Sequence, residues 1–298
     1  MPSIAKKARR REQFSGESIE APSEAEAPQA QEQPKPPFPK TTVLIVSRNC
    51  VDNLRTCLNA LKAAQYREWI ETIVIDLGSR DGCGQIDVDF PAVTVMRLPR
   101  HFGKARARNI GTRTATGELM LYLEPNVELP PPAVAAMAQA FDRDPEAGAV
   151  LMEPYSLPDI ATLRRWCDTG PPELPAILVR KVFVAGMNFF DEKRYAHFGG
   201  ELELFRQLRI AGKKQIVLGD LGATIHRQPP TDDRPADQAL LFAERILGAA
   251  AYLSKHEGLG VGLRFRMGYL LRSIFRFRVF SYLVTGQRLD GTQGNAFP

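Results

Sequence analysis

Thr42-Val-Leu-Ile-Val46, followed at once by Ser47-Arg48-Asn49, decides how this chain is read. An unbroken aliphatic, mostly β-branched run marks a strand covered on both faces, as in a parallel sheet. Immediately downstream, Leu54, Cys57, Leu58 and Leu61 recur at helical spacing between Asn53 and Ala63. The strand pattern returns at 73–75, 93–95 and 119–123, with helical patterns at 105–114 and 133–141. Strands alternating with helices predict a doubly wound, mostly parallel α/β sheet.

On either side of this core the composition changes. Residues 1–40 hold seven prolines and only two aromatics, Phe14 and Phe38. Such a segment buries too little apolar surface to offset its ordering entropy, so a disordered tail is expected. The Pro- and Asp-rich stretch 154–175 reads as a loop across the sheet edge. Residues 176–184 read as a strand, 201–211 as a helix, and 215–218 and 223–225 as short strands. After the Pro/Asp stretch 229–235 the pattern is helical to about Gly286, and Gly258, Gly260 and Gly262 divide it into two segments. The expected organisation is a tail (1–40), an α/β domain (41–228) and a helical basic extension (229–298).

Composition excludes several classes. The 298 residues are 44% hydrophobic and 24% charged, an ordinary globular balance. No apolar run reaches the roughly 18 residues a spanning helix needs. The basic N-terminus lacks the apolar stretch of a secretory signal. Cys50, Cys57, Cys83 and Cys167 have neither metal nor disulfide-framework spacing, so they read as reduced thiols of a cytoplasmic protein. The net charge is +5, and residues 261–298 alone hold six arginines against one aspartate. The main domain therefore has no surplus to attract nucleic acid.

In a doubly wound sheet, ligands bind at the carboxyl ends of the strands. Three polar clusters fall there and converge on one rim: Ser47-Arg48-Asn49, then Asp76 to Gly82, then Glu124-Pro125-Asn126. An Asp at a strand end can accept hydrogen bonds from a base or ribose, or it can close an Asx turn. Lys104 and Arg106 open a helix whose first amides would favour phosphate; a solvated basic face is the plainer reading. Leu204, Phe205 and Leu208 share a helix face with Glu201, whereas Glu203 goes with Arg206 and Gln207 on another.

Six segments in order, VLIVSRN (43–49), IVIDLGSRDG (73–82), LPRHFGKARARNIG (98–111), GELMLYLEPNVELPP (117–131), FFDEKRYAHFGGELELFRQLRIAG (189–212) and TIHR (224–227), resemble family-2 glycosyltransferases with the GT-A fold. The resemblance spans about residues 41–228. It implies transfer of a hexosyl group from a nucleotide-sugar to an acceptor hydroxyl with inversion, using Mg or Mn. The acceptor class it suggests is a cell-surface glycan or a lipid-linked glycan. Asp76 matches the family's nucleoside-holding aspartate, and Ser47, Asn49, Ser79, Asn109 and Glu124 complete the expected donor site. Glu124-Pro125-Asn126 stands where the family has its Asp-x-Asp motif, so Glu124, Asn126 and His226 are the expected metal ligands. Gly200-Glu201 stands where the family has Glu-Asp, which makes Glu201 the expected general base.

Leu77, Asn126 and Gly200 occupy three usually acidic positions. They motivate a second reading, a catalytically impaired binding or scaffold subunit at a membrane. A nucleotidyltransferase ranks last, because no Gly-rich phosphate loop follows the first strand. The segment 261–289 carries six arginines, no acid and many aromatic residues. Such a segment either lies in an anionic membrane interface, as at the inner face of the cell membrane, or packs its apolar face on the domain.

Overall fold

Strand β1 (Thr41–Ser47) is buried along nearly its whole length, as its apolar run predicts. It pairs in parallel with β2 (Ile70–Asp76), which pairs in parallel with β3 (Thr94–Arg97). On its other side β1 pairs in parallel with β4 (Leu119–Leu123). The register sets Ser47 beside Asp76 and Leu123 beside Ile45, so Glu124 leaves the sheet at the same rim. After the two-residue β5 (Val127–Glu128) come β6 (Ala147–Leu151), β7 (Ala176–Arg180) and β8 (Lys214–Val217). The seven-stranded order is β3-β2-β1-β4-β7-β6-β8, with β7 antiparallel to both neighbours. β9 (Thr224–Ile225) pairs with β5 in a separate two-stranded piece.

This computed structural model describes residues 37–172, 174–219, 221–227 and 235–286. Most of the expected tail, and the 228/229 boundary, lie outside the described residues. Phe38 does not behave as tail. It is buried and meets the Tyr66 ring edge-on at 5.9 Å, so the folded body begins ahead of Thr41.

Side-chain alternation along β1 separates two cores. Val43 and Ile45 pack with helices α1 (Val51–Lys62) and the later α3, while Leu44 faces α2 (Lys104–Thr114) on the other side. α3 spans Ala133–Arg143, α4 Ile160–Thr169, α5 Lys181–Gly186 and α6 Gly200–Ile210. α6 joins the second core through Leu204, Phe205 and Leu208, the stripe its sequence predicted.

A third core joins α4 and the α6 region to α7 (Pro235–His256), α8 (Leu259–Arg272) and α9 (Phe277–Thr285). Leu163, Cys167, Tyr195, Phe198 and Leu202 meet Ile246, Leu253, Phe265 and Leu283 there. Each large side chain so buried contributes about 1.5–3 kcal/mol. The described residues accordingly belong to one compact unit, and the C-terminal helices are part of it rather than an appendage.

Three local expectations are corrected. The presumed loop 154–175 contains α4, started by Asp159, whose carboxylate accepts from Thr162 N at 2.7 Å. The strand expected over 176–184 stops at Arg180, where Lys181 N bonds to Glu118 O at 2.8 Å and α5 begins. The C-terminal region forms three helices, broken at Gly258 and again at 273–276. Gly260 and Gly262 lie inside α8, and Gly262 lets α8 press against α7. A Cβ there would sit 2.4 Å from Ala250 O. All four cysteines are buried free thiols.

Candidate active site

At the carboxyl ends of β1 and β4 opens a cavity of about 480 Å³, with Ser47, Arg48, Asn49, Lys104, Glu124 and Glu201 on its wall. α4 adds Trp166, and α7 adds Leu241 and Arg245. His101 and His197 complete the floor, their rings 5.9 Å apart and edge-to-face. Gly103 makes this floor possible. Its φ of +96° is disfavoured for other residues, and a Cβ would lie 2.2 Å from Ala196 O. The chain before α2 thereby packs directly on the segment before α6.

Two carboxylates and two cations form the centre. Lys104 Nζ donates to both Glu124 oxygens at 3.0 and 3.1 Å. Arg108 donates to Glu201 Oε1 and reaches Glu124 Oε1 at 3.6 Å. Lys104 and Arg108 are four residues apart, so α2 presents both on one face. The Arg108 side chain is buried, its guanidinium 5.5 Å from the Tyr122 ring centroid and 5.7 Å from that of Phe190.

Protonation follows from these neighbours. Burial would raise the Glu201 carboxyl, but Arg108 and then Lys104 outweigh it and hold the group at about 2. Burial pushes His101 down to about 2, reinforced by His197 and nearby cations, and His197 down to about 3, reinforced by Lys104 and Arg245. Both imidazoles are neutral at physiological pH. Ser47 Oγ and His197 Nδ1 are buried without a hydrogen-bond partner, leaving two polar atoms on cavity-lining residues unmet by protein groups.

The other expected site residues take different places. Asp76 accepts from Ser79 N at 3.1 and 3.3 Å and from the Ser79 hydroxyl, closing an Asx-type turn. Ser79 Oγ accepts from Asn49 N at 2.9 Å, and Asn49 Oδ1 from Arg80 N at 2.9 Å. Ser47, Asn49, Asp76 and Ser79 therefore share one rim, but only Ser47 and Asn49 reach the cavity wall. Asn109 lies behind it. Its amide bonds Phe190 O and Glu192 and its oxygen accepts from Phe190 N, clamping a segment whose Asn188 and Phe189 have positive φ. Arg106 turns outward over the Phe102 ring at 4.6 Å, and Ala105 N is taken by Ala196 O. The α2 amide and Arg106 expected to favour phosphate are thus committed elsewhere.

The expected metal ligands do not form a set. Asn126 donates to His226 O at 2.8 Å, and the His226 ring pairs with Glu128 at 2.9 Å. Both belong to the β5–β9 brace, while Glu124 is occupied by Lys104. Among the described residues, no three His, Cys, Asp or Glu side chains stand close enough to hold a metal ion. One ion-paired carboxylate and an inward-turned amide do not fit a divalent cation, which wants several hard anionic oxygens.

Residues 42–166 match the family model described as glycosyl transferase family 2. No curated protein matches the sequence significantly. Among solved structures, the chain is similar to the mannosyltransferase PcManGT of Pyrobaculum calidifontis, in complex with GDP-Man and Mn²⁺. Identity is 18% and the TM-score 0.53, over 79% of this chain and 75% of that one. It is similar to Staphylococcus aureus TarS 1–349 with UDP-GlcNAc at 18% identity and a TM-score of 0.52, covering 82% and 75%. Glucosyl-3-phosphoglycerate synthase of Mycobacterium tuberculosis, with Mn²⁺, UDP and glucosyl-3-phosphoglycerate, gives 17% and 0.52 over 74% and 81%. Such identities speak to fold. The family model thus matches residues 42–166, less than half of the chain, and the fold is GT-A. Glu201, His197 and Arg245 lie beyond the matched segment and reach the cavity through α6 and α7.

Proposed function

We propose that this chain transfers a hexosyl group from a nucleoside-diphosphate sugar to an acceptor hydroxyl, with inversion. The observation that carries this reading is one carboxylate, Glu201, facing a cavity with a surplus of positive charge. Among the described residues, Arg48, Lys104 and Arg245 on its wall, with Arg108 paired to its carboxylates, stand against Glu124 and Glu201. That surplus suits a donor whose two bridging phosphates are ionised at neutral pH. Glu201 takes the acceptor hydroxyl's proton as the oxygen attacks the anomeric carbon. The bond from that carbon to the phosphate oxygen breaks, and the nucleoside diphosphate leaves with the electron pair. Lys104, Arg48 and Arg245 stabilise the charge that develops there.

Because the donor set does not suit a metal, leaving-group stabilisation is assigned to these cations and no step runs through a metal ion. The ion pair with Arg108 makes Glu201 a weak base in the free protein. A diphosphate beside Lys104 and Arg108 competes for the same N–H donors and frees Glu201 when the donor is bound. The free buried thiols support a reducing, cytoplasmic setting.

A second reading, a binding or scaffold subunit, is favoured by the mutual neutralisation of Lys104 with Glu124 and of Arg108 with Glu201. Thermal unfolding with UDP-, GDP- and dTDP-sugars, with EDTA or with Mn²⁺, separates these readings. Stabilisation by a donor in EDTA, followed by sugar transfer, is the expected result. A strict Mn²⁺ requirement overturns the assignment to cations. Absence of stabilisation by every nucleotide overturns the transferase.

A further inference from the structure

The third core leaves one flank of α8 and the α8–α9 turn uncovered. Leu259, Leu263, Met267 and Leu271 recur every four residues on α8, and all are exposed. The turn continues this apolar surface. Ile274 to Arg278 are exposed without interruption, with Phe275 at 99% and Phe277 at 80%. Single exposed apolar residues are ordinary, but seven contiguous in sequence order along one helix and its turn are not.

Charge accompanies the patch. Between Leu259 and Gly286 the chain has five arginines and no acidic residue. Arg266 is buried, while Arg264, Arg272, Arg276 and Arg278 are exposed. A cavity of about 310 Å³ opens beside the turn, lined by Arg272, Ser273, Arg276, Phe242, Tyr269 and Asp168. Asp168 reaches Arg272 only at 4.0 Å. No helix among the described residues is long and apolar enough to cross a membrane, so this surface would lie on a bilayer rather than span it.

We propose that the α8 flank and the α8–α9 turn dock this protein on an anionic phospholipid surface. Phe275 and Phe277 enter the boundary between headgroups and acyl chains, and the four exposed arginines meet lipid phosphates. Apolar side chains ringed by arginine are what such an interface selects. A second copy of the chain suits the patch poorly, because a symmetric contact would set four exposed arginines against their own copies with Asp168 as the nearby carboxylate. Residues 12–34 of the chain's own sequence carry six glutamates but few large apolar side chains, so they match the charge and not the phenylalanines.

The position of the patch relative to the cavity is informative. Arg245, on the cavity wall, lies 5.5 Å from the Phe242 ring centroid, and Arg276 of the turn lies 5.9 Å from the same ring. A bilayer seated on the turn abuts the α7 wall of the cavity, which suits an acceptor presented at a membrane. That corollary rests on the transferase reading; the docking itself does not.

The test is flotation of the full-length chain with phosphatidylcholine vesicles, and with vesicles containing about 30% phosphatidylglycerol. Binding to the anionic vesicles alone is expected, falling as salt is raised. Phe275→Ser with Phe277→Ser should lower the partition coefficient about tenfold or more. Arg276→Gln and Arg278→Gln should each lower it about fivefold. These side chains are exposed, so every variant should melt within about 2 °C of the parent. A parent that does not float with anionic vesicles overturns the proposal. So does a Phe275/Phe277 variant that floats like the parent, for example because Lys6 to Arg11 supply the binding. Conversion of a dimer to a monomer by that variant, with flotation unchanged, assigns the patch to a second copy and also overturns it.

Discussion

Glu201 and Glu203 stand two residues apart on α6, and the helix rotates them by roughly 200° relative to each other. Glu201 looks into the cavity, its side chain about a quarter exposed, and answers chiefly to Arg108. Glu203 looks toward α7, is almost fully buried, and is held by Lys255 at 2.6 Å, His256 at 2.7 Å and Gln207 at 2.7 Å. Tyr195 adds a hydrogen bond at 3.3 Å. For both, burial pushes the carboxyl up and the partners more than reverse it, to about 2. Equal acidity thus hides different roles. One carboxylate has a single cation that a ligand can compete for; the other is enclosed by four partners and fastens two helices together.

Substitution can break that contrast. Glu201→Gln should lower kcat about 100-fold or more while donor affinity stays within about twofold, measured by steady-state kinetics and calorimetry. Equal losses in both would make Glu201 a binding group. Glu203→Gln should leave turnover per folded molecule intact but cost about 3 kcal/mol of stability in urea titrations, because it breaks a buried ion-pair cluster on one side. The pH dependence of that cost sharpens the point. Glu203 is held below its ordinary 4.5, so its contribution is complete above that pH and is lost as pH falls toward 2. The gap between parent and Glu203→Gln should therefore close through that window. A smaller effect is expected from Arg108→Met. With its largest counter-charge gone, Glu201 titrates higher, and the acidic limb of the pH–rate profile should move up by about one unit or more. An unmoved limb would separate Glu201 from the rate-determining proton.

Residues whose roles depend on local periodicity were legible in the sequence. β1, β2 and β4 announce themselves because both faces are covered, and the cavity-facing position of Glu201 follows from Leu204, Phe205 and Leu208. β6 was silent because Ala147-Gly148-Ala149 carries little apolar signal. α4 was masked by neighbouring prolines and buries only Leu163 and Cys167. Arg108 sits in a basic run where Lys104 and Arg106 drew attention; spacing by four from Lys104 was the available clue. Arg245 and Trp166 become wall residues only through tertiary packing. Asn126 and His226 are joined by a strand pair two residues long, too short to leave any periodicity.

Sharing one guanidinium between Glu201 and Glu124 has a thermodynamic consequence. Any anion that draws Arg108 or Lys104 toward itself strips a carboxylate of its counter-charge inside a poorly solvated pocket. The proton affinity of that carboxylate then rises. If a donor binds as proposed, its binding is proton-linked, taking up a fraction of a proton below about pH 5 and tightening as the medium acidifies. The acidity of Glu201 thus becomes a property of occupancy, set anew each time the cavity fills and empties.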